Sequence, residues 1–113
     1  MVRACVLVAV VLGPVAGCSR QAKLEKLCDR VEALACDPEI LGFSAADRMT
    51  VVASRLSEES SVYGELFNAA GTAAPPERKA AFVKAMGDGL GQPWSCPAFD
   101  GLWDAQDPVC VKH

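Results

Sequence analysis

Six cysteines stand in this chain of 113 residues, and the spacing of the last four constrains its fold more than any other feature. Cys28 and Cys36 lie in or just after a segment whose apolar residues Leu24, Leu27, Val31 and Leu34 recur at helical intervals, with charges on the opposite face. On one continuous helix, eight residues at about 1.5 Å each hold them about 12 Å apart along the axis. A disulfide tolerates no more than about 7 Å between α-carbons, so these two cannot bond to each other. Cys96 and Cys110 are then their partners, in one of two cross-pairings, and either ties the two ends of the domain together. Each bridge closes a loop of about 60 to 80 residues, worth on the order of 4 kcal/mol in loop-closure entropy. That is a large share of the roughly 5 to 10 kcal/mol expected for so small a domain. A four-cysteine zinc site fits less well, because seven and thirteen intervening residues lack the short Cys-x2-4-Cys knuckle of such sites.

The other two cysteines belong to the N-terminal segment. Residues 1–17 carry a positive start at Arg3, an apolar run from Ala4 to Leu12, a Gly13-Pro14 break and small residues before Cys18, the three-part design of a removed signal peptide. The apolar run is too short for a lasting membrane span, which needs roughly 20 residues. Val15-Ala16-Gly17-Cys18 resembles the lipobox of bacterial lipoproteins. The resemblance implies cleavage before Cys18, a diacylglycerol on its sulfur and usually a third, palmitate-type chain on the new amino group. Two or three acyl chains anchor stably where one is marginal. Ser19 is not the aspartate associated in that family with inner-membrane retention. The expected address is the cell envelope, with the outer membrane favoured and the lipid bilayer as a partner through acylated Cys18.

Cleavage there removes Arg3 from a chain of net charge −3 and leaves 96 residues, one unit more acidic, in one small domain. It also leaves an even set of four cysteines, as suits an exported disulfide framework. A mildly acidic surface without a basic stripe argues against nucleic acid as a partner. Residues 18–20 are the expected lipidated tether and 21–113 the domain, which therefore rests close to the lipid. Arg20, Lys23, Lys26 and Arg30 lie near the anchor, but Glu25, Asp29 and Glu32 are interleaved with them, so a solvated helix face is the better reading.

Helical signals run through the whole domain and no strand is convincing. The first helix spans Gln21 to Ala35 and stops at Asp37-Pro38. Ser44-Ala-Ala-Asp47 is a capping-box pattern in which the serine oxygen takes an orphan amide, followed by an inner stripe of Met49, Val52, Ala53 and Leu56. Ser57 to Ser61 weakens the pattern. Val62, Tyr63, Leu66, Phe67 and Ala70 resume it, as a third helix or as a kinked continuation. Gly71 to Pro76 is a loop, Pro76 suits a first helical turn, and Gly87 or Gly89 suits the cap after Phe82, Val83, Met86 and Leu90. Pro97 opens a short last turn with Phe99, Leu102 and Trp103. The expectation is an all-α bundle of four to five helices stapled by two disulfides.

Residues able to carry chemistry are few. The only histidine, His113, is terminal, where positioning is poorest, and cysteines held in disulfides supply no thiolate. No enzyme, cofactor or metal is expected. "GDGLGQ" (87–92) lacks the strand and the Lys-Ser/Thr of a phosphate loop and reads as a helix terminator. Asp100, Asp104 and Asp107 miss the calcium-loop spacing and read as a solvated face. Trp94, Phe99 and Trp103 flank Cys96 in a chain of seven aromatics; they either pack the bridge against the longer helices or expose a patch for a partner protein.

Beyond the lipobox, "ALACDPE", "PPERKAAF" and "SCPAFDGLW" resemble a class of small, uncharacterised bacterial lipoproteins with a cysteine-stapled helical domain. That resemblance implies Cys36 bonded to Cys96 and Cys28 to Cys110, and it brings no activity with it. Two functions suit such a chain. One is a membrane-anchored, non-enzymatic interaction or structural module that docks onto an envelope protein. The other is a ligand-binding or enzyme-inhibitor lipoprotein, for which a pocket lined by Phe67, Phe82 and Trp94 would speak.

Overall fold

The computed structural model describes residues 15–110, with side chains from Ser19 onward. Most of the expected leader, with Cys5, lies outside the described residues, as do the side chain of Cys18 and the whole of His113. Six α-helices and one 3-10 turn make up the described chain, with no strand among the described residues.

Helix α1, Val15–Ala35, carries the apolar stripe seen in the sequence: Leu24, Leu27, Val31, Leu34 and Ala35 are all buried. The backbone of residues 18–20, expected as a tether, is helical, so α1 runs past Cys18 without a break. It ends where Asp37-Pro38 was expected to end it, and the same two residues start a further helix, α2, Pro38–Leu41. Asp37 caps it by accepting the Glu39 amide at 2.8 Å, and Pro38 occupies the first turn, where its missing N–H costs nothing. This four-residue helix buries Ile40.

Helix α3, Ala45–Glu59, begins after Ser44, but not by the expected capping bond. The Ser44 hydroxyl donates to the Asp47 carboxylate at 2.8 Å, and it is the Ser44 carbonyl that takes the Asp47 and Arg48 amides. Ser60 decides between a kinked continuation and a separate helix. Its backbone is extended, its N–H closes α3 on the Leu56 carbonyl, and its hydroxyl accepts the Val62 amide at 3.2 Å to open helix α4, Ser61–Gly71. One serine thus serves as the end of one helix and the cap of the next.

A 3-10 turn, Pro75–Glu77, leads into α5, Arg78–Leu90. Its cap is Gly91, not Gly87 or Gly89: Gly91 is left-handed at φ 74°, and the Gly91 and Gln92 amides both return to the Gly87 carbonyl, closures that satisfy orphan carbonyls at a position a side chain would strain. Gly89 has a different task. A Cβ there would come within 2.7 Å of Leu24 Cδ1, so its absence lets α5 settle against α1. Helix α6, Pro97–Trp103, opens on Pro97 and buries Phe99 and Leu102.

Every other helix packs against α1, and α3, α4 and α5 pack in sequence on one another. The core is apolar, with no buried polar or charged residue and no buried side-chain nitrogen or oxygen left unpaired among the described residues. Tyr63 reaches into it from α4 and donates its hydroxyl to the Lys23 carbonyl of α1 at 2.8 Å. Burial pushes its phenol pKa up, reinforced by Glu59 and opposed by Arg30. At the rim, Arg30 forks onto Glu59 at 3.0 and 2.6 Å, Arg20 meets Glu65, and Arg55 meets Glu39. The Arg30 hydrogen bond holds the Glu59 carboxyl below its usual range. Such exposed pairs contribute little to stability, since solvent screens them.

The disulfides join Cys28 to Cys96 and Cys36 to Cys110, each with α-carbons 5.7 Å apart. This corrects the pairing Cys36–Cys96 and Cys28–Cys110 implied by the resemblance. The reason is direction. Helix α6 starts beside the middle of α1, and the chain then runs alongside α1 in the same sense, so the order of the cysteines is kept across the interface. Cys28 lies one residue after buried Leu27, facing buried Cys96, whereas Cys36 sits just past the helix end, where the exposed tail passes.

Two outcomes test this arrangement. Non-reducing peptide mapping should recover Cys28 with Cys96 and Cys36 with Cys110. In urea titration, C28S/C96S should lose about 2 to 5 kcal/mol, and C36S/C110S clearly less, because a freed tail regains its own entropy in the folded state. Separately, Tyr63→Phe should cost about 0.5 to 1.5 kcal/mol at neutral pH. The raised pKa means that the tyrosine's contribution is whole below the unfolded value near 10 and fades as pH rises through the folded one. Urea midpoints of Y63F should therefore converge on wild type under strong alkali.

Candidate functional site

The residues singled out as a partner surface divide on folding. Phe99 is 0 % exposed and stacks on Phe82 with ring centroids 4.7 Å apart. Phe82 in turn meets Phe67 at 4.7 Å and Trp94 at 5.9 Å, while Trp94 and Trp103 each approach Phe99 at 5.3 Å. Five rings from α4, α5, α6 and the α5–α6 connection thus form one continuous ladder beside Cys96. Phe99 is core and offers nothing to a partner; Trp94 and Trp103 are half-buried and keep an edge at the surface. The spacing of Trp94, Phe99 and Trp103 predicts their meeting, but not which of them faces inward.

The acidic run of the tail is divided as well. Asp100 and Asp104 both lie against Lys79 Nζ of α5, at 3.5 and 3.2 Å, and Asp107 pairs with Arg48 at 3.0 Å. Partial burial pulls the Lys79 pKa down, but hydrogen bonds and charge from the two aspartates outweigh it and raise it overall. The three carboxylates therefore fasten α6 and the tail to two different helices. Among the described residues no cluster of three His, Cys, Asp or Glu side chains is arranged to hold a metal ion. No helix among the described residues is long and apolar enough to cross a membrane.

Arg48 holds one end of the molecule together, and no sequence pattern singles it out. It projects from the first turns of α3, its side chain only 12 % exposed. It donates to the Phe43 and Leu41 carbonyls at 3.0 Å each and to Asp107 Oδ1 at 3.0 Å. A guanidinium has fork-shaped donors enough for all three. It fixes the α2–α3 connection and draws the C-terminal strap, residues 104–110, onto the same end of the bundle that Cys36–Cys110 closes. The exposed large apolar side chains of the described residues gather there: Leu41 at 36 %, Phe43 at 41 % and Val109 at 91 %. Their signal in the sequence was Leu41-Gly42-Phe43, two large apolar residues in a connection where polar ones are usual.

Between α1, α6 and this strap lies an open groove of about 700 Å3. Helix α1 lends it Asp29, Glu32, Ala33 and Cys36, one face at intervals of three and four. Helix α6 lends Pro97, Ala98 and Gly101, and the strap supplies Gln106 to Val109 as a third wall. The groove exists because short side chains face each other where the helices would otherwise interlock. A shallower dip of about 540 Å3 lies beside Trp94, between Val83, Gly87 and Pro93. Neither cavity is lined by Phe67 or Phe82.

No protein-family model, no curated protein and no solved structure matches this chain.

The ladder makes a direct prediction. Phe82→Ala, which empties its centre, should cost about 3 to 5 kcal/mol in urea titration, as large-to-small changes of buried aromatics do. Trp103→Ala, at its half-exposed end, should cost clearly less.

Proposed function

We propose that this protein is a bacterial envelope lipoprotein: lipid-anchored through Cys18, favouring the outer membrane, and acting without catalysis as a module that docks an envelope protein. The observation that carries the docking half is a filled core beside an uncovered apolar end. The rings of Phe67, Phe82 and Phe99 occupy the space a small apolar ligand would need, while Leu41, Phe43 and Val109 stay in solvent at one end of the bundle. Apolar groups gathered at the surface and rimmed by polar ones suit protein contact. The anchoring half is supported by the leader and by Val15-Ala16-Gly17-Cys18.

The helical backbone through residues 18–20 adds a mechanical point. An acyl anchor attached to the helix itself, with no flexible spacer, transmits the membrane's position to the whole bundle. A module held that way presents a fixed face.

Mass spectrometry of membrane-extracted protein should find acylation on a chain beginning at Cys18, and Cys18→Ser should give unmodified protein in the soluble fraction. A soluble, unmodified wild-type product starting elsewhere would overturn the anchor. In-cell crosslinking and pull-down should recover an envelope protein reproducibly; recovery of none would count against docking.

A further inference from the structure

We propose that the groove between α1, α6 and the C-terminal strap receives a cationic peptide segment of the partner protein, one in which lysine or arginine alternates with apolar residues. This rests on the docking reading and names both the surface and the chemistry of what fills it.

Charge is the first argument. The titratable groups lining the groove are Asp29, Glu32 and Asp107, all carboxylates, and no lysine or arginine among the described residues lines it. Outside the groove six carboxylates have a base: Glu59 has Arg30, Glu65 has Arg20, Glu39 has Arg55, Asp88 has Lys84, and Asp100 and Asp104 share Lys79, whereas Asp37, Asp47, Glu58 and Glu77 form no ion pair among the described residues. In the groove only Asp107 is matched, by Arg48. Asp29 and Glu32, three residues apart on one face of α1, form no ion pair among the described residues. Their field favours a cation and opposes anionic lipid or nucleic acid.

The second argument is the lining between the charges. Ala33, Pro97, Ala98 and Gly101 offer apolar surface and backbone with little side-chain bulk, above buried Leu102. A volume of about 700 Å3, open along one side, accommodates an extended segment with side chains of both kinds. The apolar parts rest on the alanines and proline while the cationic ends reach the rim. Val109, almost wholly exposed on the strap, adds apolar contact on the groove's third wall.

Position is the third. Cys18 and Cys36 stand at opposite ends of α1, about 27 Å apart at 1.5 Å per residue, and the groove adjoins Cys36. A chain anchored at Cys18 keeps this surface at the end remote from its anchor, where another protein has access to it.

The test uses the mature lipidated protein in phosphatidylcholine vesicles, with protein-free vesicles as blank. The probe is a short fluorescent peptide of alternating lysine and leucine, read by anisotropy. It should bind, and peptides of alternating glutamate and leucine or lysine and serine should each bind at least about tenfold more weakly, about 1.4 kcal/mol. D29K/E32K should weaken the lysine–leucine peptide by a similar factor, whereas the charge-matched D88K/E58K, outside the groove, should change it little. Gly101→Leu gives a second route: a Cβ there meets no atom within 4 Å, so the side chain enters open space and should block binding without unfolding the bundle. Equal loss in D29K/E32K and D88K/E58K, or unimpeded binding to G101L, would overturn the proposal, as would no binding at all. The two readings fail separately. An envelope protein crosslinked to a chain that ignores the peptide leaves docking intact and refutes the groove; peptide binding without acylation at Cys18 refutes the anchor and leaves the groove.

Discussion

One apolar stripe on one helix organises this molecule. Helix α1 touches every other helix, and what it offers them is the line Leu24, Leu27, Val31 and Leu34. The remaining helices run from 4 to 15 residues, at or below the length at which isolated helices are marginal in water. They are stable because α1 supplies the surface on which they bury their own apolar residues. Gly89 shows how closely this is fitted, since α5 approaches Leu24 only where a side chain is missing. The Tyr63 hydroxyl, bonded to the Lys23 carbonyl, adds direction to an otherwise nondirectional contact and fixes α4 along the axis of α1.

The bridges extend that dependence to the end of the chain. Helix α6 is seven residues long, too short to be held by burial of Phe99 and Leu102 alone, and Cys28–Cys96 binds its first turn to the middle of α1. The rest of α6 and the strap beyond it have little further apolar surface to bury and are retained by three local fastenings: Lys79 on Asp100 and Asp104, Arg48 on Asp107, and Cys36 on Cys110. Beyond buried Phe99 and Leu102, the outer side of α6 and the strap meet α1 through side-chain clasps and a disulfide, which leaves open space between them. The groove is a product of that mode of attachment. Two disulfides hold α6 and the strap to α1, which lowers the entropy an incoming segment would lose in ordering them.

The sequence made the helices legible because amphipathic periodicity reports directly on burial: the stripes of α1, α3, α4 and α5 match the buried residues closely. Local hydrogen bonding was less legible. Ser44 marks the right boundary yet bonds to Asp47, and Gly87 and Gly89 look like caps although Gly91 alone takes the left-handed backbone. Several neighbouring residues can serve such a role equally well by composition, and tertiary packing selects among them. The disulfide pairing was illegible for a related reason. Helix geometry excludes Cys28–Cys36, but choosing between the two cross-pairings requires knowing whether the tail runs with α1 or against it, which is a property of the assembled bundle. The aromatic cluster was legible as a set, but not which ring is fully buried: Phe99 is in the core, while the two tryptophans keep an edge at the surface.

The groove was invisible in the sequence because it is made of absences. Ala33, Ala98 and Gly101 carry no motif, and Asp29 and Glu32 look like any solvated helix face until they are seen to line a groove with no lysine or arginine among its described residues. A surface carboxylate opposite a base is nearly neutral to its surroundings, while an unmatched pair beside apolar walls presents its field to whatever enters the groove. Conversion of a bland helix face into a selective one therefore needs no special residue. It needs the neighbours on the adjoining helix to be small, and no lysine or arginine among the described residues to line the space between them.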